Sequence, residues 1–231
     1  MNQISLQNVY ETSSQANFKL GERAQTPDGR QWVYVRAQAA VLKGYLATPY
    51  SLAVTDVTSS STDTLGRIVF INKSGAFVAT NYFADGIGIV HGGTGAGQVF
   101  KIRSNTANQI EIDPATALGT ALDSTSDVTL VASGYVGPTP ASDKVSKCVG
   151  CAQVSISTGD YGWLLTNGDG VVNVLGTALV AGKGFTPGET TTAGNPLPAV
   201  TATGPFDAQN LGFCLVSAGT NVPALVRFNI R

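Results

Sequence analysis

The chain has 231 residues, a formal net charge of −1 and only 13% charged residues, about half the usual share for a soluble domain. The sequence has no stripe or block of Lys and Arg, so it lacks the clustered positive charge that is typical of nucleic-acid-binding proteins. The apolar runs are too short to span a bilayer and the first residues do not form a secretory signal, so we expect cytoplasmic synthesis and no membrane partner.

Residues 1–17 are predicted to form an extended N-terminal arm, because they are polar and show no clear period. Such an arm becomes ordered only when it docks on something. Its scattered apolar side chains are Ile4, Leu6, Val9 and Tyr10, and we predict that these four make interface contacts.

A β-hairpin is predicted next, with strands at residues 20–25 and 31–36. Pro27 pre-sets the intervening turn, and Gly29 can take the positive φ that such turns require. The return strand places its aromatic residues on one face and its two valines on the other.

The middle region, residues 51–135, reads as a series of short strands separated by Gly, Asn and Asp. This spacing is typical of a β-sandwich or a barrel. A short helix is one alternative at residues 115–122. The predicted strands are 67–71, 77–80, 87–90, 98–103, 109–112 and 128–131.

After a Gly/Pro break at residues 134–140, strands are predicted again up to the C-terminus. Asn167-Gly168-Asp169-Gly170 has the composition of a hairpin turn between two of them. Residues 182–198 are predicted to be a loose loop. The predicted strands are 148–156, 160–165, 171–175, 212–216 and 224–230, the last with clean alternation.

The predicted fold class is therefore all-β, a β-sandwich or barrel built as two β lobes with one inserted in the other. Residues 18–50 plus 140–231 form one β domain in this hypothesis, and residues 51–135 form the inserted lobe.

No catalytic, cofactor or metal site is predicted. His91, the one histidine, lacks a nucleophile motif, and the glycines of residues 92–97 lack the Lys and the helix of a phosphate loop. Cys148 and Cys151 form a single C-x-x-C with strand-like flanks, so the three cysteines, Cys214 included, read as buried reduced thiols.

Paired carboxylates and a surface for stacking sugars stay open as alternatives. No calcium-loop spacing occurs among the acidic residues, but two carboxylates distant in sequence can meet in space. The aromatic residues favour core packing or a subunit interface over sugar binding. They are Trp32, Tyr34, Tyr45, Tyr50, Tyr82, Phe83, Tyr161 and Trp163.

Several segments resemble short β motifs of tailed-phage virion proteins. The opening hairpin with its Asp28-Gly29-Arg30 turn is one, and Tyr161-Gly162-Trp163 belongs to another. The similar segments are 18–35, 97–105, 126–131 and 159–164. The resemblance implies a non-enzymatic capsid decoration (cement) protein on the virion surface. Its expected partners are copies of itself, as a homo-oligomer and specifically a trimer, and the major capsid protein.

Two other functions remain as alternatives at this stage. A tail or fibre protein would bind a host glycan through exposed aromatic residues, whereas a polysaccharide hydrolase would depend on one Asp or Glu. A weakly charged surface rich in Ser and Thr favours packing against other proteins, because these side chains lose little rotamer entropy at a contact.

Overall fold

A computed structural model describes residues 2–4, 8–48, 54–62, 66–71, 80–135, 139–140, 148–174, 178–187, 199–201, 211–219 and 222–230. The predicted all-β class is confirmed. The chain divides into unit 1, residues 1–50 and 137–231, and unit 2, residues 51–136. Whether the predicted lobes, 18–50 plus 140–231 and 51–135, fold independently stays a prediction.

The strands are named in chain order. They are β1 (Asn2–Gln3), β2 (Arg23–Gln25), β3 (Gln31–Arg36), β4 (Leu46–Thr48), β5 (Val54–Thr62), β6 (Ile68–Ile71), β7 (Ile87–Gly92), β8 (Val99–Asn105), β9 (Gln109–Ile112), β10 (Asp127–Val131), β11 (Thr139–Pro140), β12 (Gly150–Ala152), β13 (Tyr161–Asn173), β14 (Gly184–Pro187), β15 (Ala199–Thr201), β16 (Gly212–Cys214) and β17 (Pro223–Asn229).

Unit 1 is built on one sheet with the order β1-β2-β3-β13-β17-β16-β14-β15. The β1–β2 pair is parallel, and the other pairs along this path are antiparallel. Off the path, β12 pairs with β13 and β4, and β4 pairs with β11. The predicted hairpin is present as β2 and β3, and Gly29 in its turn has φ +86°.

The hairpin turn predicted at residues 167–170 is wrong, because these residues lie inside the continuous strand β13. One part of β13 pairs with β3 and the following part, from Asn167, pairs with β17. A register shift separates Leu165 from Asn167, and Gly168 takes φ +103°. A bulge at Thr166, followed by a glycine with positive φ, thus lets one long strand change neighbours without turning back.

Aromatic side chains contribute to the core of unit 1. Tyr34 of β3 packs with Trp163 of β13 at 5.0 Å between ring centroids, and Phe185 meets Phe228 edge to face at 5.5 Å. Trp32 belongs to the same core cluster. Both faces of β3 are covered, since its valines are as buried as its aromatic residues. A central strand buried on both faces is expected to be apolar in its middle, and residues 32–35 of β3 are, whereas Gln31 and Arg36 end it at half-buried positions.

Unit 2 is a small closed barrel with the strand order β10-β5-β6-β9-β8-β7, in which β7 pairs again with β10. Alternate residues point inward and form its core, including Phe100 and Ile102 of β8. A Cβ at Gly88 would overlap the Phe100 ring, so glycine at this inward position makes room for the aromatic side chain.

The short helix considered for residues 115–122 does not form. Only a 3-10 turn, Pro114–Thr116, is present there, and Asp113 caps it by accepting a hydrogen bond from the Ala115 amide at 3.0 Å. Thr116 then binds the Lys101 amide through its side chain at 2.9 Å, which ties the segment to β8. Of the predicted strand 77–80, residues 77–79 lie outside the described residues.

Candidate functional site

The predicted interface residues of the N-terminal arm take different environments. Ile4 is 8% exposed, Val9 is fully buried and Tyr10 is 42% exposed, while Leu6 lies outside the described residues. Ile4 and Val9 belong to the core cluster of unit 1. The interface assignment stays a prediction, and Tyr10 is its described member with an accessible side chain.

The arm docks on the sheet of its own chain. The Ile4 amide donates to the Gln25 carbonyl at 3.0 Å, and Ser13 pairs with Tyr161 across an isolated bridge. The Tyr10 ring lies edge to face with Trp32 at 5.9 Å, and its hydroxyl accepts a hydrogen bond from Arg30 Nη1 at 2.8 Å. These contacts order a segment whose sequence has no period of its own.

Four large apolar side chains are exposed on β16, on β17 and in the residues next to these strands. Phe213, Val216, Val222 and Leu225 have exposed fractions between 41% and 56%, and we call this set the apolar patch. Leu225 lies on the outward face of β17, where alternation turns Ala224, Val226 and Phe228 inward. Phe213 lies opposite Arg227 of β17, and the Val216 amide donates to the Leu225 carbonyl at 3.3 Å.

Unit 2 has its own exposed apolar side chains on neighbouring strands. Ile87 of β7 is 42% exposed and Val99 of β8 is 59% exposed. Ile89 lies directly opposite Val99, and Ile87 lies opposite Lys101. Single exposed apolar residues are ordinary on protein surfaces. Ile87, Ile89 and Val99, however, lie together on the outer face of the paired strands β7 and β8.

A polar cleft of about 560 Å³ opens on unit 1 where three elements meet. The turn before β3 contributes Asp28, Gly29 and Arg30; β13 contributes Asn167, Gly168 and Asp169; and β17 contributes Arg227. Sequence reasoning missed this cleft, because its residues are far apart along the chain.

Two ion pairs dominate the polar cleft. Arg227 binds Asp169 through two hydrogen bonds of 2.6 and 2.9 Å, and these bonds lower the pKa of the Asp169 carboxyl. Arg30 Nε binds Asp28 at 2.7 Å. A hydrogen bond from Thr26 is the largest influence on Asp28, and it lowers the pKa of that carboxyl. The cleft therefore holds two fixed negative and two fixed positive charges.

The cysteines are buried. Cys148 and Cys151 flank the start of β12, and burial raises the pKa of the Cys148 thiol to about 12. Burial also raises the pKa of Cys151, and the neighbouring Cys148 adds to that shift. All three cysteines are free thiols, and Cys214 is likewise buried. A neutral buried thiol is neither a good nucleophile nor a good metal ligand.

The remaining candidates for chemistry occupy turns and strand faces. His91 is exposed on β7, with Nδ1 at 3.0 Å from Thr129 Oγ1. The glycine-rich loop that follows it is a turn leading into β8, in which Gly93, Gly95 and Gly97 have positive φ. Within the described ranges, no group of three or more His, Cys, Asp or Glu side chains could hold a metal ion.

Most of the candidate sugar-stacking aromatic residues lie in the interior. Trp32, Tyr34, Tyr82, Phe83 and Trp163 are at most 2% exposed. Tyr45 and Tyr161 are partly exposed, and Tyr50 falls outside the described part of the chain. The predicted preference of these residues for core packing therefore holds for the five buried ones.

None of the helices in the described part of the chain has the length and apolar character that a bilayer crossing requires. No model of a known protein family matches the chain, and neither a curated protein nor a solved structure does.

Proposed function

We propose that this protein is a non-enzymatic structural subunit of a tailed-phage virion. It decorates the outer surface of the capsid as a homo-oligomer, specifically a trimer, and its partners are its own copies and the major capsid protein. The apolar patch is the observation that carries this proposal. The likeness of the β2–β3 hairpin and the Tyr161-Gly162-Trp163 segment to phage virion proteins supports the virion location.

The apolar patch suits a protein contact because of where it lies. Leu225 and Phe213 project from the outward face of paired strands, which hold them at fixed spacing and leave little backbone entropy to lose on binding. Phe213 and Leu225 are 41% and 43% exposed, so burying the accessible remainder of one such side chain contributes about 1 kcal/mol. The guanidinium of Arg227 lies 5.9 Å from the Phe213 ring centroid and provides a polar edge to the apolar centre.

The proposed action is mechanical. A subunit that binds the assembled shell, and not its dissociated parts, stabilises the shell by mass action. A surface with few Lys and Glu side chains has little side-chain entropy to lose when it packs against neighbours. No covalent bond is made or broken, and the affinity of each contact determines how much the shell is stabilised.

Copy number per virion tests the location. Quantitative mass spectrometry of purified virions should find this chain in hundreds of copies, in a fixed ratio to the major capsid protein. A handful of copies per particle would instead place the chain in the tail and would contradict the proposal.

Self-association tests the surface. Sedimentation of the purified chain should give a trimer, and Leu225→Ser should weaken its assembly by about tenfold or more. Leu42→Ser is the matched control, because Leu42 is the same residue type and is 49% exposed in unit 1, but follows Val41 in a segment that bridges to Ile156. A monomeric wild type that also fails to bind capsids, or equal effects of the two variants, would refute the role of the patch.

A further inference from the structure

Two glycines keep the floor of the polar cleft in unit 1 open. Gly29 and Gly168 line it without side chains, and a Cβ built on Gly29 has no atom within 4 Å. A Cβ on Gly168 would lie 2.7 Å from Cγ of Arg30, so glycine there lets the arginine stem lie against the strand. The charged ends of the lining residues are thus held around an open space.

The lining residues keep unused hydrogen-bonding capacity. Arg30 engages Nε and Nη1, and Arg227 engages Nε and Nη2, so each guanidinium retains N–H donors that bind no other described residue. Each carboxylate oxygen of Asp169 accepts one hydrogen bond from Arg227 and has a second lone pair. The Asn167 amide adds a donor and an acceptor without a side-chain bond inside the described structure.

The charges of the polar cleft indicate what it would bind. Two carboxylates and two guanidiniums cancel, so an anionic or cationic ligand would meet an unfavourable partner beside each favourable one. A neutral polyhydroxyl ligand is not repelled by either kind of charged group. An ion-paired Asp and Arg place a hydrogen-bond acceptor beside a donor. Of two neighbouring sugar hydroxyls, one can then donate to the carboxylate while the other accepts from the guanidinium.

One aromatic ring lies beside each of the two arginines that line the cleft. The Arg30 guanidinium is 5.9 Å from the Tyr10 ring centroid, and the Arg227 guanidinium is 5.9 Å from that of Phe213. Both rings are about two-fifths exposed, at 42% and 41%. Partly exposed aromatic side chains beside polar groups suit a ligand with both hydroxyls and apolar C–H groups.

We propose that the polar cleft lined by Asp28, Arg30, Asn167, Asp169 and Arg227 binds a neutral saccharide. The hydroxyls of one pyranose unit pair with the Asp–Arg groups, and an adjoining unit extends toward Tyr10. This activity goes beyond the proposed capsid role and does not depend on it, because none of the residues that line the cleft belongs to the apolar patch.

The test is saturation-transfer NMR with the full chain and a panel of methyl glycosides. The neutral probes are glucose, galactose, mannose, rhamnose and N-acetylglucosamine, and the charged probes are glucuronate and N-acetylneuraminate. At least one neutral glycoside should bind saturably at millimolar concentration or below. Trp32 lies 5.5 Å from the Arg30 guanidinium, so its fluorescence provides a second readout.

Two substitutions locate the site. Asp169→Asn keeps the side-chain shape and removes the charged acceptor, and Asn167→Ala removes an amide on the same strand. Each should weaken binding by about tenfold. Glu111→Gln is the matched control, since Glu111 pairs with Arg103 at 3.1 Å at a similarly exposed position of unit 2.

Binding of a neutral glycoside that both cleft variants weaken, with the control unchanged, supports the proposal. The proposal is overturned if no neutral glycoside binds, if only charged ones bind, or if the cleft variants bind as tightly as the wild type. An unchanged tryptophan emission spectrum verifies that each variant is folded.

Discussion

Replacing Gln153 by leucine should destabilise unit 1 by about 3 kcal/mol. Gln153 is 7% exposed, and its side-chain amide pairs with the backbone of β13 as the peptide group of a neighbouring strand would. Its Oε1 accepts from the Val171 amide at 2.9 Å, and its Nε2 donates to the Val171 carbonyl at 3.0 Å. Both backbone groups of one residue in β13 thus depend on this amide.

The magnitude follows from those two groups. Leaving a buried backbone donor or acceptor without a partner costs roughly 1–3 kcal/mol each. The Cys151 thiol also approaches the Val171 carbonyl at 3.4 Å and retains part of that interaction. Greater apolar burial of leucine offsets about 1 kcal/mol. The balance is a net loss of about 3 kcal/mol.

Urea unfolding followed by tryptophan fluorescence measures this loss selectively. The chain has two tryptophans, Trp32 and Trp163, and both lie in unit 1. Gln15→Leu is the control, because Gln15 is exposed in the same unit and should change stability by less than about 0.5 kcal/mol. A Gln153→Leu variant as stable as this control would show that the amide does not satisfy Val171.

Three further outcomes are expected. Cys148, whose pKa is raised to about 12, should stay unmodified by iodoacetamide at pH 8 until urea unfolds unit 1, and rapid modification of the native chain would contradict its burial. Gly93→Ala should destabilise unit 2 by several kcal/mol more than Gly97→Ala in circular-dichroism melts, since both glycines have positive φ but only a Cβ at Gly93 overlaps Thr125; equal losses would refute this steric reason. The pKa of Asp169 is lower in the folded than in the unfolded chain. The ion pair therefore adds to the free energy of unfolding above the unfolded pKa, which is near 4, and this contribution is lost as the pH falls through the folded pKa. Asp169→Asn should therefore cost less than about 1 kcal/mol at pH 7 and progressively less as the pH falls below about 4, and a pH-independent cost would contradict the ion pair.

Local sequence pattern was sufficient for the strands with strict alternation. The predicted strand 109–112 coincides with β9, and the run predicted at 224–230 is β17 shifted by one residue. Two-residue periodicity encodes which side chains face the core, so no distant information is needed. The composition breaks around residues 50 and 135 were also visible without a structure.

Local pattern failed where a neighbouring strand decided the conformation. Asn167-Gly168-Asp169-Gly170 has the composition of a turn, yet pairing with β3 on one stretch and β17 on the next keeps β13 extended. The N-terminal arm likewise has no period, but Val9 and Tyr10 are held by contacts with the sheet. In both cases tertiary hydrogen bonds and burial outweigh a weak local preference.

The sequence by itself thus determined the fold class, the alternating strands and the weakly charged character of the surface. Only the tertiary structure decided the long path of β13, the outward position of Leu225 beside Phe213, and the polar cleft that joins Arg30 to Arg227. The physical reason is that local periodicity assigns residues to the two faces of a strand. Which strands become neighbours depends on contacts between residues far apart in the chain.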